Sequence, residues 1–168
     1  MIPLEDFFRK PEKAMVRISP DGSHISYMEP WKRRLNLHVM NVETDDAWRI
    51  TSSEERDIAG YLWLDDSQLL YLKDKGGDEN HHLYKVDIDG KNEVDLTPFD
   101  ETMCRLVDKL ENVDDHILIS LNKRNKQVFD VYRINVRTGD MEMVCENPGN
   151  FLGYGCDHDG NLRVAIAS

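Results

Sequence analysis

The residues best suited to chemistry form a few short clusters. Cys156-Asp157-His158 sets a thiol, a carboxylate and an imidazole side by side, but consecutive strand residues leave opposite faces, so a nucleophile and its base would not meet there. His81 and His82, beside Asp78 and Glu79, are metal-ligand types that diverge for the same reason. Asp87-Ile88-Asp89-Gly90 and Asp157-His158-Asp159-Gly160 begin like calcium loops. Both lack the third ligand before the glycine and the distant glutamate, and read as turns. The segment from Asp74 to Asn80 is more suggestive, because it places two glycines among charges between two apolar runs. Long loops held on rigid elements often carry function. Asp74, Gly76, Gly77, Asp78, Glu79 and Asn80 are therefore the candidate substrate-gate or interdomain loop; the alternative is a charged hairpin tip or a hydrogen-bonding corner. Trp31, Trp48 and Trp63 could line a groove or fill the junctions between sheets. No G-x-S-x-G occurs, so the strand-to-helix elbow that raises a hydrolase serine above its sheet is missing. No catalytic, metal or cofactor residue is assigned.

Composition narrows the classes further. The chain has 168 residues, enough to bury a core, and 40% of them are apolar, which argues for a soluble folded protein. Its 32 acidic against 21 basic side chains give a net charge of −11, which repels nucleic-acid backbones and anionic membranes. The N-terminal stretch, with charges every few residues, lacks a signal-peptide apolar core, and no stretch has the length of a membrane span. A cytoplasmic location is expected. Cys104, Cys145 and Cys156 are odd in number and widely spaced, as buried or incidental thiols would be.

The elements that must hold these residues follow a repeat of turn, strand, polar hairpin, strand, turn and strand. Its turn acids Asp21, Asp66, Asp115 and Asp159 stand 45, 49 and 44 residues apart, the length of a four-stranded propeller blade. Asp, Gly, Asn and Ser recur at these turns because they tolerate left-handed backbone or hydrogen-bond their own main chain. Alternating strands such as Leu37 to Val42 and Asp130 to Val136 favour antiparallel meanders. The expected architecture is all-β: a partial, open β-propeller of about three and a half four-stranded blades. A helical segment covers 1–14, with a short helix from Pro3 to Lys10; blades cover 15–55, 56–99 and 100–146, and a partial blade 147–168. Closed propellers generally need about four to eight blades. An open array leaves bare sheet edges, so the chain is expected to be part of a longer protein, or to self-associate through those edges.

Three stretches resemble the N-terminal propeller of prolyl oligopeptidase family serine peptidases, in the dipeptidyl aminopeptidase and acylaminoacyl peptidase branch. They are Val16-Arg17-Ile18-Ser19-Pro20-Asp21-Gly22-Ser23; the run from Asp74 through Tyr84 to Asp87, continuing in Asp95-Leu96-Thr97-Pro98-Phe99; and Leu121-Asn122-Lys123-Arg124 with Val128 to Arg133, Thr138-Gly139-Asp140 and Glu146 to Asn150. The resemblance implies a non-catalytic propeller that gates peptide substrates and docks a C-terminal α/β-hydrolase domain of the same parent protein. That domain would supply the serine, histidine and aspartate of the triad. A freestanding module that binds peptide or protein partners without chemistry is the alternative.

Overall fold

The computed structural model of the chain describes residues 3–4 and 11–168, so residues 5–10 of the expected N-terminal helix lie outside the described residues. The described chain is all-β. Strands β1 (Ala14–Ile18), β2 (His24–Trp31), β3 (Arg34–Asn41) and β4 (Ala47–Arg49) form one sheet. β5 (Gly60–Trp63), β6 (Gln68–Lys73), β7 (His82–Asp87) and β8 (Val94–Asp95) form a second. β9 (Cys104–Asp108), β10 (His116–Leu121), β11 (Asp130–Asn135) and β12 (Met141–Cys145) form a third, and β13 (Phe151–Cys156) pairs with β14 (Leu162–Ala167). In every sheet the spatial order follows the chain. The repeat is thus a series of meanders, as the alternating sequence requires.

Burial concentrates on the two middle strands of each four-stranded sheet. Leu37, Val39, Leu69, Leu70, Tyr71, Leu83, Ile117, Leu118, Ile119 and Ile134 are all essentially inaccessible. Each contributes about 1.5–3 kcal/mol of apolar burial. The flanking strands are wetter: Val16 and Ile18 of β1 and Met143 and Val144 of β12 stay exposed. Two compact units emerge, residues 1–71 with 86–93, and residues 72–85 with 94–168.

In the first unit, β2 and β3 extend further than the sequence pattern suggests. They pair from His24 opposite Asn41 to Trp31 opposite Arg34, and the polar hairpin shrinks to Lys32 and Arg33, both at positive φ. Two left-handed positions make the turn that matches strand twist, at about 1 kcal/mol each for non-glycine residues. The Arg49 guanidinium 3.7 Å and the Lys32 ammonium 4.6 Å from the Trp31 ring offset part of that. Pro30 is tolerated in a strand with two neighbours because β1 pairs no further than Met28. At the opposite end of the sheet, Asp21 accepts from Ser19 Oγ at 2.6 Å and from Ser23 N–H and Oγ at 3.0 and 2.7 Å. These bonds, Ser19's foremost, lower its pKa to about 2. The Asp21 amide donates to Asp66 Oδ1 at 2.9 Å, so two of the repeating turn acids touch. Trp48 Nε1 donates to the Ile88 carbonyl at 2.5 Å, and a Cβ on Gly90, at φ +79°, would lie 3.1 Å from the Ile50 carbonyl. Glycine is required where two backbones approach this closely.

The second unit repeats the device. Lys85 Nζ donates to the Val136 carbonyl at 2.8 Å, and Arg133 Nη2 to the Gly160 carbonyl at 3.0 Å. Leu110, Leu118 and Val131 form a buried cluster extended by Val107, Val113, Cys145, Tyr154, Cys156 and Leu162.

Each four-stranded sheet also buries a polar residue near the start of its third strand. Asn36 is fully inaccessible. Its Nδ2 donates to the Arg34 and Ser53 carbonyls at 3.1 and 2.9 Å, and its Oδ1 accepts from Thr51 Oγ1 and Ser53 N–H at 2.9 and 2.7 Å. The chain leaving β4 is thereby held to the beginning of β3. Asn36→Leu keeps the volume and strands those partners; we expect it to lower unfolding free energy by about 2–4 kcal/mol in urea melts. Exposed Glu43→Ala is expected to stay within about 0.5 kcal/mol of the parent.

Candidate functional site

Asp74, Gly76, Gly77, Asp78, Glu79 and Asn80 come together in the loop joining β6 to β7. The apolar alternation of β6 ends at Lys73, and the next residues are turn formers. Gly76, Gly77 and Glu79 all take positive φ, at 62°, 89° and 61°. Asp78 N–H donates to the Lys75 carbonyl at 3.2 Å and His81 N–H to the Glu79 carbonyl at 3.1 Å, folding the loop back on itself. The roles divide sharply within the loop. Asp74 is buried and its Oδ2 accepts the Glu79 amide at 3.3 Å, a bond that closes the loop at its neck. Gly76, Asp78 and Glu79 stand exposed at the tip. Asp78 accepts from Asn80 N–H at 3.0 Å and Nδ2 at 3.3 Å. Slight burial raises its pKa, but the bonds from Asn80 and the Lys75 backbone outweigh this and leave it below the ordinary value. The tip thus presents the Asp78 carboxylate, favoured in its ionised form, beside the exposed Glu79 side chain, an arrangement suited to meeting cations or hydrogen-bond donors.

The base of the loop rests on the second buried polar knot. His82, 5% exposed at its side chain, shares a 2.8 Å hydrogen bond between Nδ1 and Asp95 Oδ2. Lys75 Nζ lies 3.8 Å from the same oxygen. Asp95 Oδ1 accepts the Thr97 amide at 3.0 Å, and Thr97 Oγ1 accepts the Leu83 amide at 2.8 Å. The Cys104 amide donates to the His81 carbonyl at 2.7 Å, so β9 also begins against this knot. Burial, with Asp95 nearby, pushes the Cys104 thiol up to about 12, far from a nucleophile's range.

The other sequence candidates are drawn apart or already engaged. His82 is buried on Asp95 while His81 is half-buried beside it. Cys156 packs into the apolar cluster of the second unit. Asp157 is engaged by the Asn161 amide at 2.8 Å and by Arg163 Nε at 2.5 Å, which lower its pKa to about 2. The Asp87 and Asp89 carboxylates accept from Gln68 Nε2 at 2.6 Å and Lys91 Nζ at 2.8 Å. Among the described residues no group of three or more His, Cys, Asp or Glu is placed to hold a metal ion. Trp63 is buried and Trp48 bonds a neighbouring turn. Among the described residues no helix is long and apolar enough to cross a membrane.

Sequence reasoning missed the buried knots. Asn36-Leu37-His38-Val39, His82-Leu83-Tyr84 and Asp130-Val131-Tyr132 share a polar residue before an aliphatic one, and that recurrence was the available signal. If Asp95 anchors the loop, Asp95→Ala frees His82, Thr97 and Lys75 together. We expect amide hydrogen exchange over residues 75–81 to accelerate about tenfold or more, with β2 and β3 unchanged. Equal protection in parent and variant would show that the loop holds itself.

No family model matches the chain. Two curated relatives do. Dipeptidyl aminopeptidase BIII of Pseudoxanthomonas mexicana is 33% identical over 170 residues, covering 100% of this chain and 25% of the relative. Dipeptidyl peptidase family member 6 of Caenorhabditis elegans is 26% identical over 175 residues, covering 98% of this chain and 23% of the relative. The chain therefore spans about a quarter of the length of the curated relatives it matches. Among solved structures, the β-propeller domain of the Pyrococcus furiosus trilobed protease superposes with a TM-score of 0.58 at 21% identity, over 80% of this chain and 43% of that one. An oligogalacturonate lyase reaches 0.66 at 12% identity, over 90% of this chain and 46% of that one. These likenesses establish the fold, a partial β-propeller. With the repeat and the match to a dipeptidyl aminopeptidase along the whole of this chain, they identify the chain as a propeller segment belonging to the dipeptidyl aminopeptidase and acylaminoacyl peptidase branch of the prolyl oligopeptidase family.

Proposed function

We propose that the chain serves as the non-catalytic propeller portion of a serine peptidase acting on short peptides, gating their entry and docking an α/β-hydrolase domain of the same parent protein. The observation that carries this reading is the 33% identity to a dipeptidyl aminopeptidase along the whole chain, over 25% of that relative. Acyl transfer would run through a serine nucleophile, a histidine base and an orienting aspartate, and the sequence here contains no G-x-S-x-G. That chemistry therefore belongs to the hydrolase domain.

Within this division, the loop bearing Asp74, Gly76, Gly77, Asp78, Glu79 and Asn80 is the gate or interdomain contact. Its exposed acidic tip on a fixed neck supports the reading, since a gate needs a mobile end and a rigid root. The proposed blades run over 15–55, 56–99, 100–146 and, in part, 147–168. Peptides are the proposed substrates and the cytoplasm the proposed compartment. Nucleic acid and membrane surfaces suit a net charge of −11 poorly. The exposed apolar residues of β14, Val164 at 58% and Ile166 at 61%, support self-association through an open edge when no further strand covers it.

A serine-reactive fluorophosphonate probe tests the division of labour. This chain alone is expected to stay unlabelled, while a parent polypeptide continuing into G-x-S-x-G takes up one probe and cleaves dipeptidyl substrates. Stoichiometric labelling of the chain itself, or a parent reading frame without that motif, refutes the proposal. Light scattering on the purified chain should give a mass above 19.5 kDa that rises with concentration. A monomeric mass throughout removes self-association from the proposal.

A further inference from the structure

In the second compact unit, the first strands of the third and fourth sheets border a hollow of about 440 Å³, within the range of small-ligand sites. β9 and β13 are each the outermost strand of their sheet, with a single hydrogen-bonded neighbour. Both therefore carry backbone N–H and C=O groups that no strand of their own sheet satisfies. The walls include Leu106, Phe129, Phe151 and Leu152. Leu106 at 39% and Leu152 at 71% exposure leave aliphatic surface in water along these walls.

The charge at this hollow runs against the rest of the molecule. The chain has 32 acidic and 21 basic side chains, yet among the described residues no carboxylate lines the hollow and Arg105 does. The Arg105 guanidinium carbon lies 3.7 Å from the Phe129 ring centroid. Stacking uses the flat face of the guanidinium and leaves its N–H rim for a planar anion. Among the described residues no acidic side chain forms an ion pair with Arg105. Two other polar side chains at the hollow are already engaged: Tyr154 Oη donates to the Phe129 carbonyl at 2.9 Å, and Asn147 Nδ2 to the Phe129 and Phe151 carbonyls at 3.2 and 3.0 Å.

We propose that this hollow binds a short extended peptide, whose carboxylate meets Arg105 and whose apolar side chain packs on Phe129, Phe151 and Leu152. An edge strand, an apolar shelf and an arginine with no ion pair among the described residues, side by side, match the main chain, side chain and charge of such a ligand. The carboxylate can be a peptide's C-terminus or an acidic side chain. The binding needs no hydrolase domain, so its failure and that of the peptidase reading are separate results.

Calorimetry on this chain tests the proposal with three probes: acetyl-Ala-Ala-Phe as the free acid, the same peptide as its C-terminal amide, and acetyl-Ala-Glu-Phe-amide. The free acid is expected to bind and the plain amide to bind about tenfold more weakly or not at all. Arg105→Gln and Leu152→Asp are each expected to weaken the acid about tenfold without shifting the melting temperature, and Lys91→Gln to leave it unchanged. Binding of the glutamyl amide alone also supports the proposal and places the carboxylate on a side chain. Equal binding of acid and plain amide, unchanged affinity in Arg105→Gln, or no heat from any probe at millimolar concentration overturns it.

Discussion

The beginning of the third strand in each four-stranded sheet is a buried polar position, and the chain's path is fixed there. A fully buried hydrogen-bonding group without partners is costly, and satisfied it permits one local arrangement. Asn36 meets this requirement with a neutral amide. His82 meets it with an imidazole on Asp95. Asp130, wholly inaccessible, takes Arg124 through two bonds of 2.9 and 2.8 Å and the Asn147 amide at 2.8 Å. Burial raises the Asp130 pKa, but Arg124 and Asn147 outweigh it, and the carboxyl lies below its ordinary value. In all three sheets the group secured is the chain that has just left, or is about to leave, the fourth strand. Three chemistries perform one task, so the geometry of the position matters more than the residue that fills it.

That geometry explains why part of the structure could be read in advance and part could not. Turn acids are constrained locally, so their spacing was visible, and Asp21 and Asp66 come into direct contact. Middle strands announce themselves by apolar alternation that continues through both faces, as in His116–Leu121. The Lys32-Arg33 turn gave no comparable signal, because neither residue favours positive φ and its support comes from Trp31 and Arg49 across the sheet. The partnership of His82 with Asp95 depends on how β7 and β8 lie in register, with Tyr84 opposite Asp95. Periodicity within one strand cannot report that. The loop from Asp74 to Asn80 was visible as a loop. That Asp74 is its buried neck and Asp78 its exposed tip emerges only once the chain has turned. The pairing of Arg105 in β9 with Phe129 at the end of the loop before β11 depends on how that loop folds back over the sheet, and sequence proximity gives no hint of it.

The same end of each sheet carries connections of very different length: two residues at Lys32-Arg33, a longer loop from Asp74 to His81, and another from Asn122 to Phe129. The strand order and the place of the knot stay the same while these connections vary. A scaffold of this kind serves unrelated chemistries, as its likeness to a lyase and to a protease propeller shows.

Because spatial order within every sheet equals chain order, most pairing partners are separated by only one short connection. Closing such small loops costs little entropy, so each hairpin can form from residues close in sequence. A nascent chain emerging from the ribosome can therefore complete the sheet containing Asn36 before the residues of β9 have been synthesised. Each finished sheet then offers the next an ordered surface to assemble against, which shortens the interval in which its inner faces stand bare.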